Sequence, residues 1–318
     1  MRIALALGSG GARGYTHIGV LQELAARGHE LVAISGTSMG AVIGGLEAAG
    51  RLPVFSEWVG TLRQTDVWRL LDPAFTCPGV FWGQRVMEHV AEMLDGARIE
   101  ELPIPFTAVA ADITHNREVW FQRGSVATAM RASIGIPSVF TPVVVGGRLL
   151  ADGGILNPVP VDALLGAPAD RTIAVSLSGR RAGEDASTRP VTASAETEGM
   201  LGELTERLRG ALESDRIRGL RQWWAQRFAE PEAGEPVEPP RDFDFEALPK
   251  GLKTSDVVSL SLETAEQLIT RFRMAASPPD VLIEFPQDIA STFDFHRANE
   301  LIAKGREKAA KAFDAAGL

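Results

Sequence analysis

The pentapeptide Gly36-Thr37-Ser38-Met39-Gly40 decides our interpretation of the fold. It follows residues 31–35, an apolar run with the composition of a β-strand, and it precedes residues 41–50, whose small side chains predict a helix that ends at a glycine. A G-x-S-x-G turn between a strand and a helix is the context that a nucleophilic serine requires. The pattern predicts that the Ser38 hydroxyl stands at the helix N-terminus, where the helix dipole favours developing negative charge.

Glycines on both sides of the serine fit this interpretation. A Cβ at Gly36 or Gly40 would strike a neighbouring strand or helix in so sharp a turn. The alternative is a tight turn that happens to contain a serine, because a chain with 32 glycines in 318 residues can show this pattern by chance. The rest of the chain has to decide between the two.

A glycine-rich loop follows the first predicted strand. Residues 2–7 read as a strand, residues 8–14 are Gly-Ser-Gly-Gly-Ala-Arg-Gly, and residues 15–26 predict a helix. A Walker A loop is excluded because no Gly-Lys-Ser/Thr follows. A dinucleotide-binding fingerprint fits poorly, since Arg13 stands where its last glycine should be and no acidic residue ends the second strand.

The third interpretation of this loop is an oxyanion hole. Successive backbone N–H groups of Gly10, Gly11 and Ala12 would converge on one point in front of a helix N-terminus. Only this interpretation uses Ser38, which the neighbouring parallel strand would place at the same end of the sheet.

A carboxylate follows a later strand pattern. Residues 143–151 predict a hairpin with a Gly-Gly turn, and its second arm leads into Asp152-Gly153-Gly154. A charge directly after an apolar strand is costly unless the protein uses it. A plain Asp-Gly turn is the alternative.

Composition excludes several classes of protein. The net charge of −9 argues against nucleic acid as a partner, and no segment reaches the roughly 20 apolar residues of a membrane span. Cys77 is the only cysteine, which excludes an intrachain disulfide and favours an intracellular, cytoplasmic location. The five histidines are scattered without ligand spacing, so we expect no metal site.

Together these stretches resemble the signature blocks of the patatin-like phospholipases, specifically the bacterial RssA-type branch related to the neuropathy target esterase. The matching blocks are residues 8–14, 36–40 and 152–154, with weaker matches at 131–137 and 157–160. The blocks cover residues 3–177, and the likeness resumes near Thr254, since residues 278–283 and 293–297 resemble the tail of that branch. Ser9 departs from the glycine of many members.

The resemblance implies an α/β protein of patatin-like three-layer fold, with a central, mostly parallel sheet and helices on both faces. It implies a serine acyl-ester hydrolase that acts on phospholipid or lysophospholipid through a Ser38–Asp152 dyad without histidine. Neither a cofactor nor calcium is expected. The implied oxyanion donors are Gly10, Gly11 and Ala12, and the residues implied to support the loops are Arg13, Gly14, Gly36, Gly40, Gly153 and Gly154.

Two other functions stay open. One is a lipid-binding regulatory protein with a weak or vestigial esterase site. The other is a triad esterase that uses His296, the one late histidine in the order Ser, Asp, His.

We expect three segments: a catalytic core at 1–177, a linker with a helical insertion and an acidic, proline-rich loop at 178–253, and a helix-strand-helix at 254–318 that returns to the core. The insertion helix, residues 198–229, carries arginines beside tryptophans, which is typical of a helix lying on an anionic membrane or on a partner. Packing on its own domain or against a second copy of the chain is the alternative.

Two further expectations concern apolar side chains. Residues 53–95 hold many aromatics, which indicate either helical packing on the sheet or the wall or lid of an apolar substrate pocket. A helix predicted over 255–275 has apolar residues that we expect to be buried, namely Val258, Leu262, Leu268, Ile269 and Phe272.

Overall fold

The structure is a computed structural model that describes residues 1–70, 72, 81–137, 139–179 and 254–318. It contains two compact units, Met1–Glu184 with Leu262–Leu318, and Asp185–Ser261. Apart from Ser178 and Gly179, which end a strand, the predicted linker, insertion helix and acidic loop lie outside the described residues, as does Cys77. The predicted boundaries of the three segments, and contact of the insertion helix with a membrane, therefore stay predictions.

Within the described residues, eight strands form one mixed sheet. The strands are β1 (Arg2–Leu7), β2 (Glu30–Thr37), β3 (Phe106–Asp112), β4 (Arg117–Phe121), β5 (Val143–Val145), β6 (Arg148–Asp152), β7 (Arg171–Gly179) and β8 (Val281–Pro286). Strands β8, β7, β1, β2 and β3 lie side by side and run parallel, whereas β4 and β6 pair with β3 in the antiparallel sense. The predicted α/β class with a mostly parallel sheet is confirmed.

Helices connect the strands and cover both faces of the sheet. They are α1 (Tyr15–Ala26), α2 (Met39–Ala48), α3 (Leu52–Thr61), α4 (Gln64–Leu70), α5 (Gln84–Leu94), α6 (Val126–Ser133), α7 (Thr254–Ala276) and α8 (Ala298–Ala316). The β1 side chains Ile3, Leu5 and Leu7 alternate toward the larger core, which also holds buried residues of α1, α2 and α8. Ala4 and Ala6 face the opposite way, toward a smaller cluster that Met274 of α7 packs against.

The pairing of β3 sets the position of the site. Strand β2 pairs with β3 as far as Thr37 opposite Val109, and β6 then pairs with β3 from Asp152 opposite Ala110. Strand β4 pairs with the same part of β3, so it must use the other edge. Strands β2 and β6 therefore pair with the same edge of β3, one after the other. Asp152 is the β6 residue that lies directly beyond the end of β2.

Helix α7 forms where the sequence predicts it, but the expectation about its buried side chains is wrong. Val258, Leu262, Leu268 and Phe272 are exposed, with Phe272 at 69%, and Ile269 is half-buried. The physical reason is that α7 turns polar groups inward. Arg273 bonds Asp162 and Glu118, and Thr270 is buried, so the apolar stripe on the other side of the helix faces outward.

Candidate active site

Ser38 occupies the turn between β2 and α2 and has backbone angles that are unusual for a residue with a side chain. Its φ is 56° and its ψ is −125°, and the side chain is buried. Its carbonyl oxygen accepts hydrogen bonds from the N–H groups of Ala41 and Val42, at 2.9 and 3.2 Å, which starts the helix. A non-glycine residue held in such a region costs of order 1–3 kcal/mol, and this kind of strain clusters at functional sites.

The flanking glycines are required by close packing. A Cβ on Gly36 would lie against the carbonyl oxygen of Gly40, and a Cβ on Gly40 would lie against that of Leu7. Both obstacles are backbone atoms, which cannot move aside as a flexible side chain can. The turn therefore needs glycine at both positions, as the sequence pattern predicts.

A serine that the sequence did not single out holds this turn in place. The N–H of Ser38 donates to Ser133 Oγ at 2.8 Å, and Ser133 Oγ donates to the carbonyl oxygen of Val109 at 2.6 Å. Ser133 is the last residue of α6 and is fully buried. It thus fixes the turn to the neighbouring strand β3 through a side chain that is itself oriented.

Asp152 ends β6 and is buried beside Ser38. Its Oδ1 accepts the N–H of Gly154 at 2.7 Å, and its own N–H donates to Gly135 at 2.9 Å. Oδ2 has no hydrogen-bond partner among the described residues. The two side chains thus adjoin without closing an ordinary hydrogen bond, a contact that commonly tightens only when substrate binds.

The surroundings of Asp152 make it a stronger base than an exposed aspartate. Burial raises the pKa of Asp152 to about 7, the adjacent Ser38 hydroxyl and the N–H of Gly154 act to lower it, and the nearby charge of Glu266 acts to raise it. A base whose pKa lies near the working pH is well suited to take a proton in a transition state.

The glycine loop lies near Ser38, since Gly11 and Ser38 line the same cavity. The N–H of Ala12 donates to the carbonyl oxygen of Thr292 at 2.9 Å. In the described part of the chain, the N–H groups of Gly10 and Gly11 have no acceptor. Three N–H groups were expected to be free for an oxyanion. Two of them, those of Gly10 and Gly11, are free within the described chain, because Thr292 accepts the hydrogen bond of Ala12.

Two side chains support the loop from behind. Arg13 Nε donates to Gly10 and its Nη1 donates to Gln287, both at 3.1 Å. His17 Nε2 donates to the carbonyl oxygen of Gly8 at 2.9 Å, and burial lowers the pKa of His17 to about 4, so its ring is neutral at pH 7. The sequence pattern did not indicate His17, because its partner lies nine residues away in a loop.

An apolar cavity of about 80 Å³ opens beside Ser38. Aromatic and aliphatic side chains dominate its lining, and none of the described residues that line it is charged. They include Tyr15, Met39, Phe55, Trp58, Val86, Met87, Phe140, Phe293 and Phe295. Phe55 and Trp58 of α3 thus form a wall, in line with one of the two interpretations of residues 53–95. The side chain of Trp68, and Leu71, Phe75 and Val80, lie outside the described residues.

The structure does not bring His296 to this site. It is exposed on the short 3-10 helix Phe295–Arg297 and does not line the cavity. Among the described residues, no histidine bonds Asp152. The geometry gives the triad alternative no support.

The described residues show neither a metal site nor a membrane span. They contain no group of three or more His, Cys, Asp or Glu side chains that could hold a metal ion. None of their helices combines the length and the apolar character needed to cross a membrane.

Comparison with known proteins gives matches of three kinds. Residues 5–165 match the family model of the patatin-like phospholipases. Uncharacterized NTE family proteins of Mycobacterium bovis and Mycobacterium tuberculosis are 42% identical to this chain over 336 residues, which cover 99% of this chain and 92% of each relative. The lysophospholipase NTE1 of Cryptococcus neoformans is 35% identical over 173 residues, 51% of this chain and 10% of that protein. The solved structure of VipD from Legionella pneumophila aligns with a TM-score of 0.43 and 14% identity, covering 99% of this chain and 66% of VipD.

Proposed function

The chain belongs to the patatin-like phospholipase family, and from this premise we propose that it hydrolyses acyl esters of lipids, as a phospholipase A or a lysophospholipase does. One observation carries the proposal. A buried carboxylate with an unpartnered oxygen lies beside a serine in a strained turn, at the opening of an uncharged cavity. A protein that only binds lipid has no need of the first two features.

The proposed reaction uses Ser38 as the nucleophile and Asp152 as the base. The Ser38 oxygen attacks the ester carbonyl carbon while its proton passes to the unpartnered Oδ2 of Asp152. The carbonyl oxygen gains the negative charge, and the N–H groups of Gly10 and Gly11 donate to it. When the oxyanion collapses, the carbon–oxygen bond of the ester breaks and Asp152 returns the proton to the leaving alcohol.

The second half of the cycle repeats these steps with water. Asp152 takes a proton from a water molecule that attacks the acyl-serine ester, and the same two N–H groups stabilise the second oxyanion. The free fatty acid leaves, and Ser38 recovers its proton from Asp152. Backbone amides stabilise the charge in this scheme, so it does not call on a calcium ion.

The cavity favours an acyl chain as the part of the substrate that is recognised. The described residues that line it carry no charged side chain, so a polar head group would lose its hydration there without gaining a partner among them. An acyl chain instead gains about 0.8 kcal/mol for each methylene group that it buries. We therefore place the acyl chain in the cavity and the head group outside it.

The proposal is tested by incubating the purified chain with a lysophospholipid, a diacyl phospholipid and a short-chain nitrophenyl ester. Wild-type protein is expected to release fatty acid from at least one of the two lipids, and Ser38→Ala protein is expected to release none. Equal rates for the two proteins would refute the proposal. Lipid that stays bound through purification and is never hydrolysed would instead indicate the regulatory, lipid-binding function.

A further inference from the structure

The polar face of α7 reaches the candidate active site at Glu266. From Leu262 onward this helix turns Glu266, Thr270 and Arg273 to one side, since these residues are spaced at about one and two turns. Ser9 Oγ donates a hydrogen bond to Glu266 Oε1. Two turns further along, Arg273 Nη1 bonds Asp162 at 2.9 Å. The helix is therefore fixed to the core at both places.

Ser9, which bonds Glu266, also lies beside the backbone that follows the catalytic carboxylate. Its Oγ lies 3.1 Å from the point that a Cβ on Gly154 would occupy, and Asp152 Oδ1 lies 3.0 Å from the same point. The hydroxyl of Ser9 and the carboxylate of Asp152 thus border the same point beside Gly154, and the hydroxyl also bonds Glu266. The site thus holds a second carboxylate near the first, which the proposed reaction does not use.

Polar and charged groups face Glu266 from three structural elements. Ser9 and Arg13 face it from the glycine loop, Asp152 from the end of β6, and Glu263 from its own helix. Burial raises the pKa of Glu266, the Ser9 hydrogen bond and Arg13 lower it, and Glu263 raises it. Because Glu266 carries a charge of the same sign, it makes Asp152 bind a proton more readily.

We propose that Glu266 is a positioning residue for the hydrolytic reaction, which acts through Ser9 to hold the glycine loop and through its charge to strengthen Asp152 as a proton acceptor. Glu266 does not line the cavity, so it has no contact with the acyl chain placed there. The inference rests on the proposed function, because it assigns a role in that reaction.

The test compares the pH dependence of kcat/KM for wild-type and Glu266→Gln protein with a short-chain nitrophenyl ester. The amide of glutamine can still accept the Ser9 hydrogen bond, so this variant removes the charge while keeping the contact. We expect the acid limb of the profile to move to lower pH, by roughly one unit or less, since removing a nearby negative charge makes a carboxylic acid lose its proton more readily. We also expect kcat at high pH to fall several-fold, because Asp152 becomes a weaker base.

Two further variants separate charge from contact. Glu266→Asp keeps the charge but shortens the reach to Ser9, so its acid limb should stay at the wild-type pH while kcat falls. Glu307→Gln removes an exposed carboxylate of α8 that pairs with Lys311 at 2.6 Å, and should leave both the profile and kcat unchanged.

The outcomes distinguish this inference from the proposed function. A folded Glu266→Gln protein with the wild-type profile and kcat would overturn the role of Glu266 and leave the hydrolase proposal intact. If Glu266→Gln does not fold, the aspartate variant decides, and wild-type kcat in that variant would likewise overturn the role. Wild-type protein without turnover that depends on Ser38 would overturn the proposed function, and this inference with it.

Discussion

The two sides of Ser38 are built from opposite kinds of side chain. On one side lies a cavity whose lining, among the described residues, has no charged side chain, and on the other lie two carboxylates, Asp152 and Glu266, the second of which Ser9 bonds. An acyl chain can be bound by apolar surface alone, whereas a serine needs a base whose affinity for protons is raised. The difference indicates that the site separates binding of the acyl chain from activation of the nucleophile.

This separation has a physical benefit for both tasks. Carboxylates that lined the cavity would have to be desolvated each time an acyl chain entered, at a cost in binding. Asp152 instead lies outside the cavity lining, where burial raises its pKa to about 7. The following experiments test whether the two sides act independently.

The largest effect is expected from Asp152→Asn. This variant removes the base from the activating side, and general base catalysis typically contributes about 10²–10⁴-fold, so kcat/KM should fall by that factor. The measurement is hydrolysis of a short-chain nitrophenyl ester at pH 8. Retention of more than about a tenth of the wild-type rate would contradict the assignment of Asp152.

The same variant should not be less stable than the wild type, and its relative stability should depend on pH. The folded-state pKa of Asp152, about 7, lies above its ordinary value of 3.8. The folded protein therefore binds the proton more tightly, so this group stabilises it fully below about pH 4 and loses that contribution as pH rises toward 7. In thermal unfolding, the Tm of Asp152→Asn relative to that of the wild type should therefore rise between about pH 4 and pH 7. A difference in Tm that does not change with pH would contradict the pKa assignment.

The next effect concerns the binding side. Val86 of α5 lines the cavity, and Val86→Trp should fill part of it. If the tryptophan excludes about three methylene groups of the acyl chain from the cavity, each group loses about 0.8 kcal/mol of binding free energy. The value of kcat/KM for a long-chain ester should then fall by about 10–100-fold. The rate with a short-chain ester should change little. The matched control is Val144→Trp on β5, at a side chain that is 69% exposed, and equal losses in both variants would contradict the cavity assignment.

A smaller effect is expected from pH alone. Only ionised Asp152 can accept a proton, so kcat/KM of the wild type should be constant well above pH 7 and fall about tenfold per pH unit well below it. The profile is measured between pH 5 and 9. A midpoint near 4, the ordinary value for an aspartate, would show that the carboxylate is not desolvated as described.

The smallest effect is expected at Ser133. Ser133→Ala leaves the N–H of Ser38 and the carbonyl of Val109 without their shared partner, which should cost about 1–3 kcal/mol in the free energy of unfolding. Activity should also fall, because the turn is less firmly held. Ser125→Ala removes the cap at the other end of α6 and should cost about 1 kcal/mol with no change in activity. Denaturant unfolding and kcat measurements give both quantities for both variants.

Local patterns predicted the parts of the fold that depend on neighbours in sequence. The strand before Ser38, the helix after it, and the hairpin with Gly146 and Gly147 at its turn all form as expected. The glycine requirement at Gly36 and Gly40 was also predictable, because the turn itself creates the crowding.

Contacts between distant residues could not be predicted in this way. The N–H of Ala12 is engaged by Thr292, and Ser9 is bonded to Glu266, more than 250 residues away in each case. The prediction of which face of α7 is buried was wrong for the same reason. Its apolar stripe predicts one buried face, but polar partners such as Asp162 decide which face turns inward. Only the tertiary structure places those partners beside the helix.

The central claim is that Asp152 activates Ser38, and it is tested most directly by the rate at which a fluorophosphonate probe labels the protein between pH 5 and 9. The account predicts that peptide mapping finds the label on Ser38, that the labelling rate rises toward a plateau above about pH 7, and that Asp152→Asn reacts far more slowly at every pH. Labelling at another residue, or equal and pH-independent rates in the wild type and in Asp152→Asn, would contradict it.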